Sequence, residues 1–284
     1  MWKLDFFLLP SRNYGSIGER EAWEFGERAA CINDKENLYI PNEFYDREDH
    51  TGVTAVDFLY GDEQCDMSDY FVEIISKLKT CQETYDEISR KDEYGYLPIA
   101  KEDMEQEIRS VCVWNMKDME EEKCLNVNDV VKLKRFYMKR IRDYNVYKGR
   151  VKESYPELIF HEKAFRYIGK LGKCKDVAGE LTRHLAVLND VGKRLYDHHH
   201  KDENAVLSEI QSGYGVICSG KGSKEDMDFN EKISYKGKTY QLTCNPHTKL
   251  FEKRTDQRIY FCWGREEIEN HRIIIVRIGD HWQE

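Results

Sequence analysis

Basic and imidazole side chains recur at the edges of three short apolar runs in the last part of this 284-residue sequence. His247 and Lys249 lie in the run from Tyr240 to Phe251, Arg258 and Tyr260 in Arg258–Trp263, and Arg277 and His281 in Arg272 to Trp282. These residue types suit a phosphodiester. Cleaving RNA without a metal requires a base to take the ribose 2′-hydroxyl proton, cations to stabilise the five-coordinate phosphorus, and an acid to protonate the leaving 5′ oxygen. His281 is the candidate acid or base, because an unperturbed imidazole titrates close to neutrality. Arg277 and Arg258 suit the phosphate clamp, since a planar guanidinium can make two hydrogen bonds to one phosphate. Lys249 offers a point charge, or a base if neighbouring cations lower its pKa. His247, two residues earlier, shares its strand face, and Tyr260 can stack on a base. Lys221, in Gly215-Val-Ile-Cys-Ser-Gly-Lys-Gly222, sits in a near-match to a phosphate-binding loop. Ser223 comes one position too late for that motif and no helix pattern follows, so the stretch reads as a flexible loop able to touch substrate.

Other constellations have plainer readings. Asp197-His-His-His200 contains metal-binding atoms, but adjacent histidines on a helix point in different directions, so a solvated helix end is expected. Cys244, His247, Cys262 and His271 lack two compact ligand pairs, and buried strand cysteines explain them better. Lys132, Lys134, Arg135, Lys139, Arg140 and Arg142 form a basic helical run beside Phe136, Tyr137 and Tyr144. A solvated or internally paired face is the expected use. Taken singly, the edge-strand cations above also have a bland role, blocking edge-to-edge aggregation.

The elements that must position these residues follow from periodicity. Residues 4–9 read as a buried strand, too short and too charged at Asp5 for a signal peptide. Ser16 caps a helix toward Ala30 with Glu19 completing a capping box. Leu38–Ile40 and Val53 to Tyr60 read as extended. Ser68 opens a long amphipathic helix through Ile88, broken by 92–98 with Gly95 and Pro98. Helices are expected over 101–119 and from Asn126 or Asn128 through Tyr144. Gly149 through Pro156 reads as a domain boundary, since Pro156 forbids helix continuation. Then come a strand at Leu158–Phe160, a helix over 162–171, a longer one from Lys175 to Tyr196, an irregular polar stretch over 197–232, and three strands.

Composition bounds the rest. The net charge of −9 is unevenly spread: residues 1–150 carry 22 Lys and Arg against 32 Asp and Glu, a net −10, and the rest of the chain is at +1. No apolar run approaches the ~20 residues of a membrane span. Nine cysteines are scattered with no Cys-x-x-Cys pair, as expected of a protein in a reducing cytoplasm.

The order strand, helix, helix, three strands, together with "PELIFHEKAFRYIGKL", "HTKLF", "RIYFCWG" and "IIIVRIGDHW", resembles the RelE/ParE-type toxin superfamily over roughly Tyr155 to Trp282. The resemblance implies helices packed on a curved antiparallel sheet whose concave face holds RNA. It also implies that Lys249, Arg258 and Arg277 are active-site cations, with His281 at the terminal acid–base position. Trp282, where a tyrosine may follow the histidine, and the long insertion before the second strand depart from the pattern. The expected fold class is therefore α+β: a mixed α/β domain over 1–150, regulatory or partner-binding, then a RelE-like domain over 155–284. The expected function is a metal-independent endoribonuclease in a toxin or antiphage defence setting, requiring no cofactor. Its expected partners are RNA or a ribosome and a neutralising or activating protein, with no membrane. The alternative is a non-catalytic RNA-, ribosome- or protein-binding module on the same fold.

Overall fold

The computed structural model describes residues 2–61, 66–91, 93–100, 127–220, 229–251 and 256–282. The chain is mixed α+β and divides into two units, Lys3–Leu133 and Lys134–Glu284, the latter taking in Trp2.

The first unit is built on a parallel sheet. Strands β1 (Asp5–Leu9), β2 (Asn37–Pro41), β3 (Lys79–Cys81) and β4 (Tyr94–Pro98) are ordered β3-β2-β1-β4. Phe6 pairs with Leu38 on one side and Gly95 on the other. Parallel strands require crossovers that cover both faces, which is why Phe6 to Leu9 and all of β4 are buried. Gly95 is dictated by packing, because a Cβ there would lie 2.5 Å from the Phe6 ring. The crossovers are α1 (Glu19–Lys35), α2 (Ala55–Tyr60) with α3 (Asp66–Ile75), and α4 (Tyr85–Ile88).

Several expectations are corrected here. Val53 to Tyr60 is not extended. Thr54 accepts the Asp57 amide at 3.1 Å and Asp57 accepts the Thr54 amide at 3.0 Å, a capping box that starts α2 despite its β-favouring residues. The single helix expected from Ser68 to Ile88 ends at Ile75. Tyr39, Ile40 and Pro41 recruit Lys79 to Cys81 into the sheet, and a second capping box at Thr84 and Glu87 opens α4. The supposed breaker at 92–98 contains β4, and its Pro98 closes an edge strand, where a missing donor is harmless. The first helix is capped at Gly18 with Glu21, after a 3-10 turn at Tyr14–Ser16. The helix expected over 101–119 lies outside the described residues.

The second unit holds a mixed sheet. Strands β5 (Ile159–Phe160), β6 (Cys218–Ser219), β9 (His247–Lys249), β10 (Arg258–Trp263) and β11 (Ile273–Gly279) are ordered β5-β11-β10-β9-β6. β5 runs parallel to β11, and the other pairings are antiparallel. β7 (Asn230–Tyr235) and β8 (Lys238–Thr243) form a separate hairpin. Lys236 and Gly237, both at positive φ, make its two-residue turn. The expected run from Tyr240 to Phe251 is thus split between hairpin and main sheet.

Helix α5 (Val127–Met138) carries the division between the units, and the helices of the second unit are α6 (Tyr144–Ser154), α7 (Cys174–Val187), α8 (Lys193–His198) and α9 (Glu203–Tyr214). Asp143 caps α6, so the helix expected through Tyr144 is two helices. Arg135 makes a bidentate ion pair with Asp190, at 2.7 and 2.8 Å, and donates to the Ser154 carbonyl. Lys134 contacts Glu153 and the Trp2 carbonyl. Part of the basic run is therefore paired internally. A π-turn at Leu188–Gly192 joins α7 to α8, and Gly192 lets it approach Ile273. The stretch 197–232 is not wholly irregular. Asp202 caps α9, Val206, Leu207 and Ile210 bury its inner face, and Gly215 at φ 64° ends it. Residues 162–171 form turns and a short 3-10 helix instead of an α-helix.

Candidate functional site

Antiparallel pairing sets the chemistry side by side. Lys249 lies opposite Arg258 and His247 opposite Tyr260, so these four side chains share one face of the sheet. Strict alternation along β11 would turn Arg277 to the face of Ile273 and Ile275. A β-bulge between Tyr260 and Phe261 shifts the register and sets Arg277 opposite Tyr260. The Arg277 guanidinium consequently lies 5.8 Å from the Trp282 ring, which packs edge-on against Tyr260 at 5.4 Å.

Thr248 points to the other face and pins β9 there. Its hydroxyl is 2.8 Å from Nδ1 of buried His184, whose Nε2 is 3.0 Å from Glu180. One neutral tautomer serves both bonds: Nε2–H donates to Glu180 while Nδ1 accepts from Thr248. Burial drives the His184 pKa down, and His184 followed by Arg183 holds Glu180 well below the carboxylate range. This link fixes the strand that presents His247 and Lys249. Sequence reading missed it, although an imidazole on the apolar face of α7 was a visible signal.

His247 sits at the centre of the cluster. Its Nδ1 is 3.0 Å from the Asn245 carbonyl and its ring 5.0 Å from Tyr260. Burial, with the charges of Arg258, Lys249 and His281, pushes its pKa down to about 4. The imidazole is therefore neutral at physiological pH. Nδ1–H donates to Asn245, which leaves the Nε2 lone pair as an acceptor. Tyr260 is fully buried, which raises its pKa and keeps the phenol protonated, and its oxygen accepts the Trp282 amide at 3.0 Å. His281 is exposed, its ring 6.5 Å from that of Tyr260.

Three neighbours escaped sequence reading. Phe229 stacks on Trp282 at 5.0 Å and meets Tyr260 edge-on. Tyr167 lies under the Arg277 guanidinium at 3.8 Å. Asp280 accepts from Arg277 Nη2 at 2.7 Å. Only Asp280 carried a sequence signal, as an acid beside His281. Together these groups cover much of the face, leaving Arg258 at 7% and Arg277 at 9% exposure.

The structure thus brings His247, Lys249, Arg258, Tyr260, Arg277 and His281 to one end of the sheet. Lys221 lies outside the described residues. Cys262 is a buried strand cysteine on β10, whereas Cys244 is buried just past the end of β8. Among the described residues no three His, Cys, Asp or Glu side chains gather where a metal could be held. His199 instead pairs with Glu209 at 2.5 Å, where the helix ends. No described helix is long and apolar enough to cross a membrane. Comparisons of the chain with protein-family models, with curated proteins and with solved structures give no match.

Proposed function

We propose that this protein is an RNA-targeting effector of the cytoplasm whose second unit carries a metal-independent endoribonuclease site of RelE type. The observation that carries this reading is the juxtaposition of Lys249, Arg258 and bulge-directed Arg277 with the neutral imidazole of His247 on one sheet face. In the proposed reaction His247 Nε2 takes the 2′-hydroxyl proton. The 2′ oxygen bonds to phosphorus, the bond to the 5′ oxygen breaks, and a 2′,3′-cyclic phosphate forms. His281, exposed and on the same rim, returns a proton to the leaving oxygen. The arginines and Lys249 stabilise the extra phosphorane charge. The toxin or antiphage setting, the neutralising or activating protein partner and a controlling role for the first unit belong to the same proposal.

A second reading rests on a specific observation. Arg277 is engaged by Asp280, which favours a module that binds RNA, a ribosome or a protein without cutting, and Tyr260, fully buried, offers no face for a base to stack on. One experiment separates the two. The full chain and its His247→Ala, Arg277→Ala and His281→Ala variants are incubated with single-stranded RNA in a chelator. Cyclic-phosphate ends that vanish in folded variants support the nuclease. Intact RNA with retained binding supports the module.

A further inference from the structure

Beside the cluster runs a segment with its own charge pattern. Arg166, Lys170, Lys173 and Lys175 are all exposed, and among the described residues none makes an ion pair. Four unpaired cations within ten residues run against the trend of a chain whose net charge is −9. Helix stability does not explain the last two. Lys173 is the N-cap of α7 and Lys175 lies in its first turn, with Asp176 the acidic residue of that turn. Cations at a helix N-terminus oppose its dipole.

The segment is tied to the site by contact. Both Arg277 and Arg166 lie over the Tyr167 ring, at 3.8 and 5.7 Å from its centroid. Tyr167 is itself 36% exposed. The Leu171 carbonyl accepts from Gln257, the residue before Arg258, at 2.9 Å. Ile278, between Arg277 and Gly279, donates its amide to the Ala164 carbonyl at 2.8 Å. The exposed cations therefore border the same end of the sheet as Lys249, Arg258 and Arg277.

We infer that residues 166–175 extend the phosphate track beyond the sheet, so the ligand is a single-stranded polynucleotide spanning several phosphates. This inference rests on the RNA-targeting reading above. An exposed aromatic ring interleaved with cations is the pattern that tracks a single strand, with bases stacking and phosphates paired. An anionic lipid surface would also attract the cations, but the contact of Tyr167 with Arg277 at the end of the sheet ties the patch to the phosphate-binding cluster.

The test compares the full chain with its Lys170→Glu/Lys173→Glu variant, both verified as equally folded by melting temperature. Binding of fluorescent RNAs of four and twenty nucleotides is measured across a salt series, alongside phosphatidylserine vesicles. Expected is an affinity for the longer RNA lowered at least tenfold, with a salt slope shallower by about 1.4, roughly 0.7 for each lost single-strand phosphate contact. The tetranucleotide should bind as before. Equal affinity for the long RNA, or an equal loss on both lengths, would overturn the extended track. Vesicle binding lost while RNA binding is kept would assign the patch to a membrane surface. Failure of the unaltered protein to bind either RNA would overturn the RNA-targeting reading and the extension together.

Discussion

His247 couples the candidate chemistry to the stability of the fold. A histidine whose folded pKa is about 4 against an ordinary value of 6.5 is held neutral in the native state. Between those values the unfolded chain binds more protons, so stability is fully present above about 6.5 and declines as pH falls through 4. One such group accounts for up to about 3 kcal/mol. Urea unfolding of the full chain should show a loss on going from pH 7 to 4 that shrinks in His247→Asn; an unchanged loss would assign it to other groups, buried His184 foremost. Asp280 makes a second prediction at this scale. Its carboxylate is about half exposed, so its pair with Arg277 is worth at most about 1 kcal/mol. Asp280→Asn should free the guanidinium and tighten RNA binding about two- to fivefold, read by fluorescence anisotropy. The residue types at Lys249, Arg258, Arg277 and His247 were legible in sequence. The depressed pKa of His247 was not, because it arises from burial beside residues whose proximity only the pairing of β9 with β10 creates.

Elements show where local patterns compete with tertiary pairing. Thr54 with Asp57 and Thr84 with Glu87 are capping boxes written in the sequence, yet β-favouring residues and an accidental helical spacing pointed elsewhere. Asp202 and Gly215 likewise bracketed α9 in plain view. The bulge in β11 had no such signal, since alternation alone gives Arg277 the wrong face. What keeps that strand end in place is tight contact at Gly279, where a Cβ would lie 2.7 Å from Tyr167 Cβ and 3.0 Å from its carbonyl oxygen. Gly279→Ala should cost about 1–3 kcal/mol, as overpacking of a tight site does, and should displace Tyr167 from Arg277. Chemical denaturation with RNA binding measured in parallel checks this. A variant as stable and as active as the parent would show that Tyr167 does not position the guanidinium.

At the scale of the whole molecule, the sequence suggested two parts from charge asymmetry and a proline near residue 150, whereas the chain divides into two units between Leu133 and Lys134, inside α5. Arg135 joins α5 to the π-turn through Asp190, a partner 55 residues away that no local pattern announces. Asp190→Ala leaves a buried guanidinium without its carboxylate and should destabilise the second unit by about 2–3 kcal/mol. In calorimetry the transition of that unit should fall while that of the parallel-sheet unit stays, and a common shift would mean that the two unfold as one. All of this matters functionally only if the cationic face meets RNA. The most direct measurement is end-group analysis of a single-stranded RNA after incubation with the full chain in chelator. The account predicts 2′,3′-cyclic phosphate termini that disappear with His247→Ala and with Arg277→Ala. Intact RNA, or cleavage undiminished in both variants, would contradict it.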